Sequence, residues 1–244
     1  MGMRVGWGIG ALVAAGLAIG AASAQTEEEE RPGRPGILAA TGLLQTETLE
    51  LPETGEAPGL TMEIPTSPQV QASATRDNDD PSFIAAIQFR TETGRIVESI
   101  VLTHAALTTG DAEERRFALA NILVLRSFPA LARQSEDAQL LLFGPVPGFS
   151  AIAPEDPQAP ARPDAVQSLG TFTGAGGEAL FFRHVGMVVP GREKAVIALI
   201  TSDTCLMPVG GLADLADSYS GRTLDSLRFL PEPAGVEGEP VPQE

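Results

Sequence analysis

Cys205, in TSDTCLMPVGG, and the two histidines, His104 and His184, are the side chains of this 244-residue sequence best suited to nucleophilic or metal chemistry. A thiolate nucleophile needs a base within hydrogen-bond reach. If Pro190 and Gly191 centre a hairpin, Val189 faces Arg192 and His184 lies opposite Ile197. Cys205 then falls eight residues further on, which at roughly 3.3 Å per residue puts it about 26 Å from His184. Nothing in the sequence brings His104 to Cys205. Free cysteine is among the most buried residue types, and Cys205 follows the apolar run 195–201, so its sulfur is expected to fill space in the core. An intermolecular disulfide is the remaining role for an odd cysteine in an oxidising compartment.

The spacing of the two histidines fits no metal motif. Asp77, Asn78, Asp79 and Asp80 place four oxygen-bearing side chains in one loop, but the glycine and glutamate of a helix-loop-helix calcium site are missing, so the cluster reads as a solvated turn. Gly174 to Gly177 has strand-like sequence on both sides, which fits a hairpin turn and not a phosphate loop. Neither a Gly-x-Ser-x-Gly elbow nor a His-Glu-x-x-His motif occurs. No catalytic, cofactor-binding or metal-binding residue is therefore assigned, and no cofactor is expected.

The elements follow from period and punctuation. Residues 59–70, GLTMEIPTSPQV, form a short strand stopped by Pro65 and Pro68. Residues 82–104 hold two β-rich runs joined by Thr91-Glu92-Thr93-Gly94, with Phe83, Ala85, Ile87 and Phe89 on the inward face. Asp111 is placed as an N-cap with Glu114 as its capping-box partner. The helix is so apolar from Phe117 to Leu125 that cover on more than one side is expected, and Pro129 ends it or opens a second short helix. Residues 138–146 are expected as a buried strand, and 153–164 as a Pro-rich surface loop. The runs VQSLGTF, EALFFRHVGMVV and EKAVIALITS then make an antiparallel meander, with Pro190-Gly191 as a type II turn. Leu212, Leu215 and Ala216 carry helical spacing toward a stop at Gly221, and residues 223–230 fit helix or strand.

Residues 1–24 read as a signal peptide: Arg4, a Gly/Ala-rich apolar run, then Ala22-Ser23-Ala24 at the cleavage site. The competing role for the same run is an uncleaved anchor. No later stretch is long and apolar enough to span, so the mature chain is expected to be periplasmic or secreted, without a membrane span. The formal charge of −16 becomes −17 without Arg4 and repels phosphate backbones, which excludes nucleic acid as a natural partner. Residues 25–57 and 231–244 read as acidic, largely disordered segments around a single α+β domain over 58–230. Every basic residue except Lys194 is Arg, a bias associated with GC-rich bacterial genomes.

The stretch GGEALFFRHVGMVVPGREKAVIALITS, the closing LDSLRFL and the opening GLTMEIPTSP together resemble the PsbP-like family in arrangement over residues 58–230. That family often carries a tryptophan just after the opening strand's proline, where Pro65 is followed here by Thr66 and Ser67. The resemblance implies an antiparallel sheet covered by helices on both faces, and an accessory or binding module instead of an enzyme. The function expected is that of an exported, non-enzymatic module, with a protein of the cell envelope as the partner class left open. The alternative is an extracytoplasmic enzyme of unrecognised type using Cys205 or His104.

Overall fold

A computed structural model describes residues 44–76, 79–146, 164–209 and 212–231. The expected signal peptide, most of the Pro-rich loop and nearly all of the acidic tail lie outside the described residues, as do Asp77 and Asn78.

Strands β3 (Val70–Thr75), β4 (Phe83–Thr91), β5 (Ile96–Ala106), β6 (Glu136–Pro145), β7 (Asp164–Thr173), β8 (Ala179–Val188) and β9 (Lys194–Asp203) form a seven-stranded sheet. Its order is β3-β4-β5-β9-β8-β7-β6, with every neighbour antiparallel. Strands β8 and β9 are buried almost throughout, which is why their sequences read as continuous apolar runs without alternation.

The hairpin turns are where the sequence places them. At β4–β5 the Thr91 N–H donates to the Arg95 carbonyl at 2.9 Å, and Gly94, with φ 84°, donates to Thr91, the pattern of a three-residue loop closed by a left-handed glycine. Gly174 to Gly177 repeats it between β7 and β8. At β8–β9 Arg192 donates to the Val189 carbonyl at 3.2 Å around the expected type II turn. The ladder resumes only at Val189 with Lys194, however, so His184 lies opposite Leu199 and not Ile197. The expected register was short because pairing does not begin at the residues that close the turn.

One face of the sheet carries α1 (Ala112–Ile122), a π-helical turn (Leu123–Ser127) and α2 (Phe128–Ala132). Asp111 caps α1 as expected: its side chain accepts from the N–H groups of Glu113 and Glu114, and Glu114 reaches back to the Asp111 N–H. The π turn has a covalent cause. Pro129 has no N–H for the Leu125 carbonyl, and Phe128 donates to Leu123 instead, five residues back. Leu119 and Leu123 pack on Val166, Val188 and Ile197, whereas Phe117 and Leu125 are 69% and 68% exposed. The expected cover on more than one side is therefore corrected, because among the described residues only the sheet covers this helix. Strand β6 is also corrected: it is an edge strand, bulged against β7 and exposed from Leu140 to Phe143.

The other face is covered by a three-stranded sheet, β1 (Gln45–Leu51), β2 (Leu60–Thr66) and β10 (Arg228–Phe229), together with α4 (Tyr219–Ser226). The main core lies between these layers, with Leu60, Met62, Phe89, Ile100, Met187 and Leu227 in it. The α+β class and antiparallel sheets stand. The second cover, however, is sheet and helix combined. The domain also starts earlier than residue 58, since β1 pairs along its length with β2 although its sequence, QTETLEL, is polar enough to read as unstructured.

Helices α3 (Leu212–Asp217) and α4 break at Ser218, whose Oγ accepts from the Gly221 N–H at 3.0 Å as an N-cap. Gly221, expected to stop the helix, lies inside α4, and it is glycine because α3 passes so close. A Cβ there would sit 1.8 Å from the Leu215 carbonyl oxygen. Gly221→Ala must push the two helices apart and should cost more than about 2 kcal/mol. Urea unfolding with an unchanged midpoint would show that the α3–α4 contact yields freely.

Candidate functional site

The structure keeps Cys205 and both histidines apart. His104 pairs with Val196 at one end of the β5–β9 ladder, while Glu98 pairs with Ser202 at the other, and Cys205 lies beyond that second end. His104 Nε2 is 3.0 Å from the Pro81 carbonyl, to which it donates. His184 is buried, with Nδ1 3.4 Å from Ser168 Oγ and its ring edge-on to Phe182. Asp80 accepts from the N–H and hydroxyl of Ser82, both at 2.8 Å, as in a local Asx turn. Among the described residues no three His, Cys, Asp or Glu side chains converge as a metal site would require.

Cys205 is exposed, which overturns its expected place in the core. Its own turn explains this. Asp203 Oδ1 accepts from the Cys205 N–H at 2.9 Å, while Leu206 and Met207 donate to the Asp203 carbonyl. The tight turn at the end of β9 sends Leu206 and Met207 into the core and leaves the thiol outside.

Among the described residues a cleft of about 1010 Å³ lies between the main sheet and its mixed cover. Met62, Val146, Leu212 and Leu224 give it apolar walls, and Glu63, Asp217, Asp225, Arg222 and Arg228 also line it. The main sheet contributes Gln167 from β7 and Arg183 from β8, on the strand face that also carries Val185 and Met187. Gln167 is fixed by donating to the Pro145 carbonyl at 3.2 Å, and it accepts from Arg183 Nε at 2.8 Å. Arg183 is only 8% exposed, yet among the described residues it forms no ion pair and its two terminal nitrogens meet no hydrogen-bond acceptor. Burial lowers its pKa to about 10, against an opposing pull from the Glu98 charge, so the guanidinium remains protonated at neutral pH.

Glu98 is the second buried charge of this face. It accepts from Ser202 Oγ and Ser220 Oγ at 3.0 and 2.9 Å and from the Ser220 N–H at 2.9 Å. Desolvation raises its pKa, and these hydrogen bonds oppose the rise. Sequence reasoning missed Glu98, Arg183 and Gln167. The available signal was a single charge inside an apolar strand run, RIVESIVL and LFFRHVGMVV.

No family model matches the chain, and no curated protein does. Among solved structures, the Ran-binding protein Mog1p of Saccharomyces cerevisiae is 11% identical, with a TM-score of 0.40 over 76% of this chain and 95% of that one. Cyanobacterial PsbP (CyanoP) from Synechocystis is 10% identical, with a TM-score of 0.41 over 81% of this chain and 98% of that one. Neither assigns the chain to a family. Among the described residues no helix is long and apolar enough to cross a membrane.

Two measurements follow from this geometry. Cys205 in the native protein should react with Ellman's reagent at a rate close to that of the urea-unfolded chain; slow native labelling would put the thiol back in the core. His184, its pKa lowered by burial to about 4 from 6.5, is neutral when folded at neutral pH. Between those two values the unfolded chain takes up the proton first, so stability falls as pH is lowered through the window, by roughly 3 kcal/mol for this residue. The raised pKa of Glu98 acts in the opposite sense, favouring the folded state below 4.5. His184→Gln should flatten the acid side of the stability profile between pH 4 and 6.5. An unchanged slope would mean that His184 is already solvated.

Proposed function

We propose that the protein is an exported, non-enzymatic binding module and that the cleft beneath α4 is where it engages its ligand or partner. The observation that supports this reading is the cleft itself: apolar walls, an amide and a guanidinium at fixed positions inside, and access from solvent along α3 and α4. A concave surface that combines apolar wall with polar groups at fixed positions is the usual form of a ligand site. The alternative chemistry, with Cys205 or His104 as the working residue, has no counterpart in the cleft, which neither residue lines. Export follows from residues 1–24 and the Ala22-Ser23-Ala24 site. Fractionation of bacteria producing the full chain tests it. The expected product lies outside the cytoplasm and begins at Gln25; a product that keeps Met1 in the cytoplasm overturns the export half of the reading.

A further inference from the structure

We infer that the cleft takes a carboxylate with an apolar body, whose carboxyl group docks on the terminal nitrogens of Arg183. The inference deepens the reading of the cleft as the binding site and rests on it. A guanidinium removed from water is costly unless acceptors surround it, and among the described residues Arg183 has one such acceptor, Gln167, for its five N–H groups. The hydrogen bond to Gln167 occupies Nε and fixes the plane of the fork, which leaves both terminal nitrogens for an incoming acceptor. The opposite charge acting on it, Glu98, is engaged with Ser202 and Ser220 instead of forming an ion pair with it. The arrangement is a fixed, partly dehydrated cation at the inner end of a cleft, and a carboxylate is the anion that matches a guanidinium fork.

The surroundings decide what else the ligand must be. Glu63, Asp217 and Asp225 line the cleft and are balanced by Arg183, Arg222 and Arg228, so it is the −16 charge of the chain as a whole that sets more repulsion against a dianionic phosphate than against a monoanion. Of the two outer bases, Arg222 is engaged with Asp217 and Arg228 with the Asp225 and Leu227 carbonyls. Beyond Arg183, Met62, Val146, Leu212 and Leu224 give an apolar remainder surface to pack on, beside the polar Thr48, Thr61 and Ser226. Long-range attraction plays no part at this net charge; recognition depends on contact within the cleft, where screening by salt is weakest.

Decanoate, below its micellar concentration, is the probe, titrated calorimetrically into the full mature chain beside decanol and inorganic phosphate. Decanoate should bind saturably and at least tenfold more tightly than either control. Arg183→Met, which keeps the aliphatic stem, should weaken decanoate at least tenfold and remove its preference over decanol. Because that variant alters a buried position, Ala216→Trp is the companion: Ala216 is exposed and lines the cleft, so the indole should block decanoate while the unfolding midpoint stays within a few degrees. No decanoate binding by the folded wild type, equal affinity for decanol or phosphate, or binding that survives Ala216→Trp overturns the inference. Cell fractionation separates this from the export reading, since a chain that leaves the cytoplasm and ignores decanoate refutes the ligand class alone.

Discussion

The carboxylate of Glu98 ties three elements together at one buried point. It sits on β5, accepts from Ser202 on β9 across the ladder, and takes both the N–H and the hydroxyl of Ser220 in the first turn of α4. A carboxylate at a helix N-terminus meets orphan N–H groups and the positive end of the dipole, so the desolvation it suffers is partly returned. Replacing one member of such a set leaves the others buried without partners, which is why the site resists piecemeal change. Helix α4 is held in register over the sheet by this anchor, and Tyr219, next along, reaches Ser67 at 3.0 Å and packs its ring 5.4 Å from Phe89. The wall of the cleft formed by α4 therefore owes its position to Glu98, although Glu98 does not line the cleft.

The same face explains why Arg183 can exist. A strand buried on both sides has no solvent face on which to place a charge, so a charge there must be met by protein or by something that enters. Glu98 is met by serines and a helix end. Arg183 is met on one side by Gln167 and otherwise opens on the cleft. Two buried groups on the same face of one sheet, separated by β9, thus have different fates, set by whether a helix end or an opening lies above them.

What was legible in the sequence is what depends on neighbours in the chain. The capping box at Asp111 and Glu114, the glycine-closed loop at Gly94 and the type II turn at Pro190 are decided within four or five residues, and the structure shows each. Burial is decided elsewhere. Phe117, Leu125 and the apolar run of β6 read as core by composition, yet nothing described lies outside them. Cys205 shares that failing, displaced by the turn that favours Leu206 and Met207. The polar strand β1 exists because β2 is there to pair with it. The cleft was illegible for the same reason: its lining comes from β1, β2, β7, β8 and both C-terminal helices, which no local pattern joins.

The pairing of β10 with β2 has a kinetic meaning. The hydrogen bonds between Glu63 and Ser226, just before that pairing in the chain, span 163 residues of sequence, and β2 is complete before any strand of the seven-stranded sheet has been made. Closing so wide a loop comes at an entropic penalty that no local contact offsets, and topologies dominated by distant pairings fold slowly. Leu60 and Met62 must wait for the final helix and strand before they leave water. A growing chain of this design stays unfinished at its first strands until its last ones arrive, so synthesis and folding are separated in time by the topology itself.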